Sequence, residues 1–564
     1  MKKKNNPKIW IAALVFMALM VTSAFAALAI GIVDVSAGGP TYVSGIISSD
    51  TTWTAADSPY IVTGNILVEE GVTLTIEPDV VVKFNSAKAI LIDGELIARG
   101  TEAEPIVFTS NQSSPAPGDW INILFTNSSV DATYDENGDY LSGSIMQYCT
   151  VEYGGGSDTP AIKVVSSSLF IDHCIVKDNV CSGIYIGGDW DNGGSAKITN
   201  NTIIGNTASE GGGIYTIHAT VTISRNIISD NSAFDGGGIH ATRGTVTISD
   251  NIISNNSASR GGGIDASYYG GTTTIINNTI SNNSASAGGG GVSAYHGTTT
   301  IINNTISNNS ASAGGGVYAS SGTATISGNT ITNNSASDNG AGIYISSGTV
   351  SISYNEITGN SITQGVCKGG GIFIYWQPVI NYNNIHNNTP YDVYNSNEQG
   401  SPNVNVTNNW WGTTDEATIQ AHIYDWFDDA SLGIVDYIPY LTEPVTPENK
   451  PPIASFTYSP ESPVVAQTIT FNASNSTDPD GNITSYEWDF GDGNNTNTTE
   501  PITTYSYASA GTYNINLTVT DDDGATNSTN KTITISPLTA VFDTGAPANP
   551  YPSIMGNHTG TIKP

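Results

Sequence analysis

Residues 220–239 read TVTISRNIISDNSAFDGGGI, and residues 245–264 read TVTISDNIISNNSASRGGGI. The same phrase returns through residues 201–371 as a strand-like TVTIS, an asparagine-rich NNTISNNSAS and a GGGI corner. The copies align in columns. Asn201, Asn226, Asn251, Asn278, Asn304, Asn329 and Asn355 form one, with steps of 25, 25, 27, 26, 25 and 26 residues. A second runs five residues later through Asn206, Asn231, Asn256, Asn283, Asn309, Asn334 and Asn360. Two aliphatic columns, Ile203 to Ile357 and Ile214 to Ile372, keep step with both.

A fixed period near 25 residues means a solenoid, a propeller or an array. No leucine lies between Asn201 and Asn360, which excludes leucine-rich repeats, and no proline lies between Pro160 and Pro378. Thr, Ile and Val alternating with small residues favour strands. Each period has room for three short strands, fewer than a propeller blade needs. The prediction is an all-β, right-handed parallel β-helix whose coils stack about 4.8 Å apart. Isoleucines then point inward, asparagine amides bond to those above and below, and GGG supplies positive φ and close backbone approach at a corner.

The 564 residues carry 17 basic and 50 acidic side chains, a net charge of −33. That balance argues against nucleic acid and anionic lipid as partners. It suits an extracellular polysaccharide or a cell-surface protein. Residues 1–29 read as a secretory signal: a basic start at Lys2, Lys3, Lys4 and Lys8, an apolar run over 9–21, and an A-x-A site at Ala24-Phe25-Ala26. Apolar character continues to Val33, so an uncleaved anchor is the alternative. In either case the body is exported, and no membrane insertion of the mature body is expected. Cys149 and Cys174 sit one coil apart, close enough for a disulfide or for a buried thiol ladder. Cys181 and Cys367 are seven coils apart, on the order of 34 Å, and cannot pair.

Residues 41–441 form the expected helix, with N-terminal capping coils over 41–148, regular repeats over 149–390 and a closing segment over 391–441. The strand-rich NILVEEGVTLTIEPDVVVKF (65–84) and ILIDGELIARGTEAEPIVFTS (90–110) resemble the opening coils of the pectate-lyase-like superfamily, with Asp79 where glycine is usual. The GGGI and NNSA phrasing is similar to the repeats of chlamydial polymorphic outer-membrane proteins. NNWWGTTDEATIQAHIYDWFDDASLGIVDYIPYL (408–441) resembles the closing segment of NosD-like archaeal β-helix proteins. The resemblance implies that the Trp410–Trp411 pair plugs the last coil, followed by a short helix around 416–423 and a strand near 434–440. A sugar platform is the other reading of the pair. Delivery of a metal, by analogy with NosD, has no cluster of His, Cys or Met to support it.

A Pro-rich linker over 442–452 leads to residues 453–536. ASFTYSP, FNASNSTDPDGNITSYEWDFGDG, YASAGTYNINLTVTDDDG and KTITIS there resemble a PKD domain along its whole length, which implies an immunoglobulin-like β-sandwich. Residues 537–564 read as a disordered tail or the start of a further module. The whole resembles an archaeal-type surface protein.

Chemistry has one candidate location, the columns flanking GGGI. Tyr215, His240 and Asp265 follow it in three successive coils, and Glu210, Asp235 and Arg260 precede it. His218, Arg243, Tyr268 and His296 lie beyond the same strand. The catalytic candidates are His240, Asp265, Asp235 and Glu210. The other six, Tyr215, His218, Arg243, Arg260, Tyr268 and His296, are ligand-binding candidates. Glu210 and Asp235 one coil apart match the carboxylate spacing of retaining glycosidases, and His240 beside Asp265 suits acid–base work. A solvated solenoid face is the plainer reading. No cofactor is implied. Structural calcium has weak candidates in Asp478, Asp480 and Glu487, spaced like an EF-hand loop without its helices. N-x-S/T sequons at Asn111, Asn127, Asn472, Asn482, Asn516 and Asn530 fit a glycoprotein. The composition favours a structural or adhesive surface protein over an enzyme; a polysaccharide lyase, epimerase or glycosidase is the alternative.

Overall fold

The computed structural model describes residues 39–135, 138–156, 159–188, 193–267, 270–364, 368–446, 451–479, 481–522 and 524–537. The signal over 1–29, Cys367 and most of the tail lie outside these residues, as do Tyr268 and Asp480. The chain divides into two compact units between residues 447 and 448, inside the expected linker.

The first unit is the β-helix. One face is a fifteen-stranded sheet running from Thr51–Trp53 to Val435–Asp436. Along it Ile198, Ile223, Ile248, Ile275, Ile301, Ile326, Ile352 and Ile380 stack in register, each fully buried. The other two strands of each coil, such as Thr202–Ile204 and Ile214–Ile217, stack likewise on two further faces. Their inward columns are the predicted Ile203 to Ile357 and Ile214 to Ile372. Burying one such side chain contributes about 1.5–3 kcal/mol, but only when a neighbouring coil covers it. Coils from Ser257 onward add a fourth short strand, unforeseen in the sequence, that builds a five-stranded ridge: Ser257–Arg260, Ser284–Gly288, Ser310–Ala313, Ser335–Asn339 and Ser361–Ile362.

Both asparagine columns are buried ladders, and both are longer than the columns read from the sequence. The outer one continues through Asn383 to Asn409, and the inner one begins at Asn179 and reaches Asn388. Each rung is bonded on every side. Asn256, for example, donates its backbone N–H and its Nδ2–H to Asn283 Oδ1, both at 3.0 Å, and a second Nδ2–H to Ile228 O at 2.9 Å. The residue before each rung turns the corner in the left-handed region, as at Asn255 (φ 57°), Asn282 (φ 57°) and Asn308 (φ 56°). The NN doublets therefore hold two jobs: the first asparagine tolerates the turn and the second enters the core. The GGG corners behave as expected. Gly236 has φ 63°, and a Cβ on Gly237 would stand 2.5 Å from the Gly262 carbonyl one coil on.

Asp79 adopts φ 64°, which explains how it stands where glycine is usual. Cys149 and Cys174 are free, buried thiols, so the alternative of a disulfide is not realised. Cys149 N–H points at Cys174 Sγ at 3.4 Å, as an asparagine rung would. At the far end Trp411 is 4% exposed within the core and meets Tyr437 edge-on, while Trp410 is only partly covered. The helix Glu416–Ala421 is capped by Asp415, which accepts from Thr418 N–H at 3.1 Å.

The second unit is an antiparallel sandwich. Thr457–Ser459, Ile469–Asn472 and Ile502–Tyr505 form one sheet. Asn495–Thr498, Ile483–Asp489, Gly511–Asp521 and Thr526–Ile535 form the other. Trp488, fully buried, packs against Phe456 and Phe471 between them. The rest of the WDFGDG signature makes the following turn: Asp489 Oδ1 accepts from Gly491 N–H at 2.9 Å, and Asp492 Oδ2 accepts from Tyr505 at 2.7 Å.

Candidate functional site

The strand after each GGG corner points one residue in and the next out. Register places Tyr185, Tyr215, His240, Asp265, Ser293, Tyr318, Tyr344, Phe373, Tyr394 and Tyr424 in a single outward column. The sequence reading follows this column for only three coils, Tyr215 to Asp265. Its continuation is a stack of rings. Tyr318–Tyr344, Tyr344–Phe373, Phe373–Tyr394 and Tyr394–Tyr424 have centroids 5.0, 5.1, 5.4 and 4.7 Å apart and planes within 10° of parallel. Such contacts are each worth about 0.5–1.5 kcal/mol beyond their burial. A shorter stack precedes them, where Tyr215 lies on His240 at 5.2 Å and 13°. Between the two stacks, Asp265 and Ser293 carry no ring.

His240 and Asp265 point outward, yet the structure corrects the expectation of a solvated face: they are 1% and 0% exposed. His240 Nε2 lies 2.9 Å from Ser267 Oγ and 3.4 Å from Asp265 Oδ2, and Nδ1 is 3.9 Å from Glu210 Oε2. Asp265, sealed from solvent, has the His240 ring and the Ser293 hydroxyl beside its carboxylate. Burial pushes the Asp265 pKa above the ordinary carboxylate range, with His240 pulling the other way. Burial and the neighbouring Glu210 carboxylate likewise hold the Tyr215 phenol well above its ordinary value.

Glu210, Asp235 and Arg260 do stack on successive coils. Arg260 grips Asp235 through Nε at 2.9 Å and through a second nitrogen at 2.7 Å. That fork commits both Asp235 oxygens and leaves Glu210 without the paired role that retaining glycosidase chemistry requires. His218, Arg243 and His296 occupy left-handed corners at φ 50°, 55° and 67°, off the column that bears His240. His296 meets Tyr295 edge-on at 4.0 Å, and Arg260 lies over the Tyr295 ring at 5.6 Å. Tyr295, Arg260, Ser293, Tyr318 and Tyr344, with Gly288 and Ala313 of the ridge, line a lateral cavity of about 410 Å³. Of the sequence candidates among the described residues, only Arg260 lines it.

In the sandwich, Glu487 is exposed in mid-strand opposite Thr518, and Asp522 accepts from Asn482 N–H at 2.9 Å. Among the described residues no group of three or more His, Cys, Asp or Glu is placed to hold a metal ion. No helix among them is long and apolar enough to cross a membrane.

Residues 45–170 match the family described as pectate-lyase-like β-helix domain, and residues 187–280 and 262–421 match the right-handed β-helix region. Residues 449–536 match the PKD domain. A microbial collagenase of Vibrio alginolyticus is 43% identical over 74 residues, 13% of this chain and 9% of that protein. The pre-pro-metalloprotease PrtV of Vibrio cholerae is 41% identical over 91 residues, 16% of this chain and 9% of the relative. The chain thus spans about a tenth of the length of these curated relatives. Among solved structures, the PKD1 domain of Vibrio anguillarum Epp is 37% identical, covering 16% of this chain and 99% of that one, with a TM-score of 0.14. Fold, register and sequence matches agree: the chain is a right-handed parallel β-helix followed by a PKD domain.

Proposed function

We propose that this is an exported cell-surface protein with an adhesive role, whose β-helix binds carbohydrate on its lateral face. The observation that carries the reading is the cavity of about 410 Å³ beside Tyr318, where rings, a guanidinium and hydroxyls converge on one side of a rigid scaffold. Aromatic faces beside a few fixed polar groups are what sugar recognition needs. The leader-like residues 1–29 support export, as does a PKD domain of the kind matched here. The partner is an extracellular polysaccharide; a surface protein is the alternative partner.

An enzymatic reading has one observation in its favour, the buried His240–Asp265 pair at 3.4 Å. A lyase, epimerase or glycosidase would use that pair for proton transfer. The commitment of Asp235 to Arg260 weighs against it.

Both readings meet in one experiment. The full chain is incubated with a polysaccharide panel, and binding is measured beside release of reducing ends and unsaturated products. Binding without turnover supports the adhesive reading. Turnover lost in His240→Ala/Asp265→Ala moves the protein to the enzymes. Neither binding nor turnover sinks both.

A further inference from the structure

The closing segment holds a second cavity, apart from the one beside Tyr318. Its volume is about 340 Å³, at the small end of the roughly 300–1,000 Å³ of ligand pockets. Trp410 and Trp411 give it indole walls, and Asn387 and Thr413 bring an amide and a hydroxyl. Two imidazoles complete the lining, each backed by a carboxylate. His386 Nε2 lies 3.1 Å from Glu356 Oε1, and His422 Nδ1 lies 3.2 Å from Asp392 Oδ2. Asp392 is held from behind, because Oδ1 accepts from the backbone and side-chain amides of Asn388. The cavity is open: the His422 and His386 side chains are 43% and 23% exposed, Trp410 is half-buried, and Asn387 and Gly412 are exposed. The Trp410 backbone is anchored in the coil stack. Its N–H donates to Asn383 O and its carbonyl accepts from Ile385 N–H, both at 2.8 Å.

We propose that this cavity is a second carbohydrate seat, which holds one neutral pyranose with its C–H face against Trp410. The proposal rests on the carbohydrate class proposed above, but on none of the residues of the Tyr318 cavity. Indole carbon beside imidazole, amide and hydroxyl groups matches a ring with an apolar face and a polar rim. A flat apolar ligand would cover His422, Asn387 and Thr413 without replacing their water, at a desolvation cost for each. Charge narrows the class further. Among the described residues no Lys or Arg lines the cavity, and each imidazole already faces a carboxylate. A uronic acid would find no uncompensated cation there, and Asp392 would repel it. Because the Trp410 backbone is fixed by both of its hydrogen bonds, the platform is preorganised and little ordering is left for the ligand to drive.

The test uses the full chain and calorimetric titration with laminarihexaose, cellohexaose, mannohexaose and chitohexaose, with hexagalacturonate as the anionic comparison. The parent is compared with Trp410→Ala, His422→Ala and Tyr318→Ala, and thermal unfolding checks that each variant folds. The expected result is two seats for a neutral hexasaccharide in the parent. Trp410→Ala and His422→Ala should each weaken one seat at least tenfold, and Tyr318→Ala should weaken the other. If Trp410→Ala and His422→Ala both bind as the parent does, the proposal falls while the carbohydrate reading stands. Loss in those two variants with Tyr318→Ala unchanged upholds the closing seat and removes the lateral one. Binding of hexagalacturonate alone overturns the neutral class. Binding of none of the five, with all four proteins folded, overturns both readings.

Discussion

Asn388 donates its backbone N–H and its side-chain amide to the same oxygen, Oδ1 of Asp392, at 3.0 and 2.9 Å. The inner asparagine ladder therefore ends on a carboxylate. Every rung before it accepts from the coil behind and donates to the coil ahead, so the chain of amides has a direction. The last position has only to accept. Asp392 does so with one oxygen and faces His422 at 3.2 Å with the other.

That direction predicts unequal tolerance along the ladder. Asn283 accepts twice from Asn256 and donates to Asn309 Oδ1 and Ile253 O. Asn283→Asp keeps the accepting side but sets a carboxylate oxygen against two others, and should cost about 3–5 kcal/mol, the scale of an unpaired buried charge. Asp392→Asn, at the accept-only end, should cost no more than about 1.5 kcal/mol, one ordinary hydrogen bond. Denaturant midpoints of the two full-length variants check the order; equal losses would refute a directional ladder.

Asp265 predicts a pH dependence. It faces His240, with Asp235, Arg260 and Glu210 on the neighbouring columns, and burial raises its pKa in the folded protein. Below the ordinary carboxylate range it is neutral in both folded and unfolded chains, and its contribution to stability is fully present. As pH rises the unfolded chain ionises first, so stability is lost progressively up to the raised folded value. Asp265→Asn should remove that decline, so the variant gains on the parent as pH rises towards neutral. Thermal unfolding of parent and variant from pH 4 to 8 should diverge upward; parallel curves would place the decline in other groups.

Much of this is legible in the sequence because a solenoid turns neighbours in space into residues one period apart. The Asn201 and Asn206 columns, the isoleucine columns and the GGG corners can be read directly for that reason. The column after GGGI is harder. It loses its chemical identity at Ser293, and only register connects His240 to the rings beyond Tyr318. The burial of His240 and Asp265 is not legible either. The adjoining ridge is built of Ser-Ala segments such as Ser284–Gly288, whose composition has no apolar alternation and reads as loop. The Arg260–Asp235 fork shows the limit of column reading: period places them on adjacent coils, but only side-chain geometry reveals that the pair is closed.

The thiols offer a direct check on the coil stack. Cys149 and Cys174 are each 1% exposed, and burial holds the Cys149 pKa well above the ordinary thiol value. A thiol kept protonated and covered is a poor nucleophile. Both should resist alkylation by iodoacetamide in the native protein and react fully in denaturant, read by peptide mapping that separates them from Cys181 and Cys367. A pair unreactive even in denaturant until reduced would mean a disulfide.

The two tryptophans of the closing segment should separate cleanly, because consecutive residues of an extended chain point to opposite sides. Trp411 goes inward: it is 4% exposed, belongs to the same continuous core as Ile385, Val393 and Ile423, and meets Tyr437 at 6.5 Å. Trp410 is only half-buried; a cavity of about 340 Å³ beside His386 and His422 is lined by both tryptophans. Trp411→Ala empties the last coil and exposes the aliphatic columns beneath it, a large-to-small change that costs about 3–5 kcal/mol. Because each coil is covered only by its neighbour, the loss should spread as fraying from this end. Hydrogen exchange should accelerate first at Ile385 and Val393 and leave Ile248 and Ile275 protected. Trp410→Ala should cost less than about 1.5 kcal/mol, within the range of a partly exposed site, with no such gradient. A uniform rise in exchange along the whole solenoid in Trp411→Ala would show that the helix unfolds as one unit and that the residue is not an end plug.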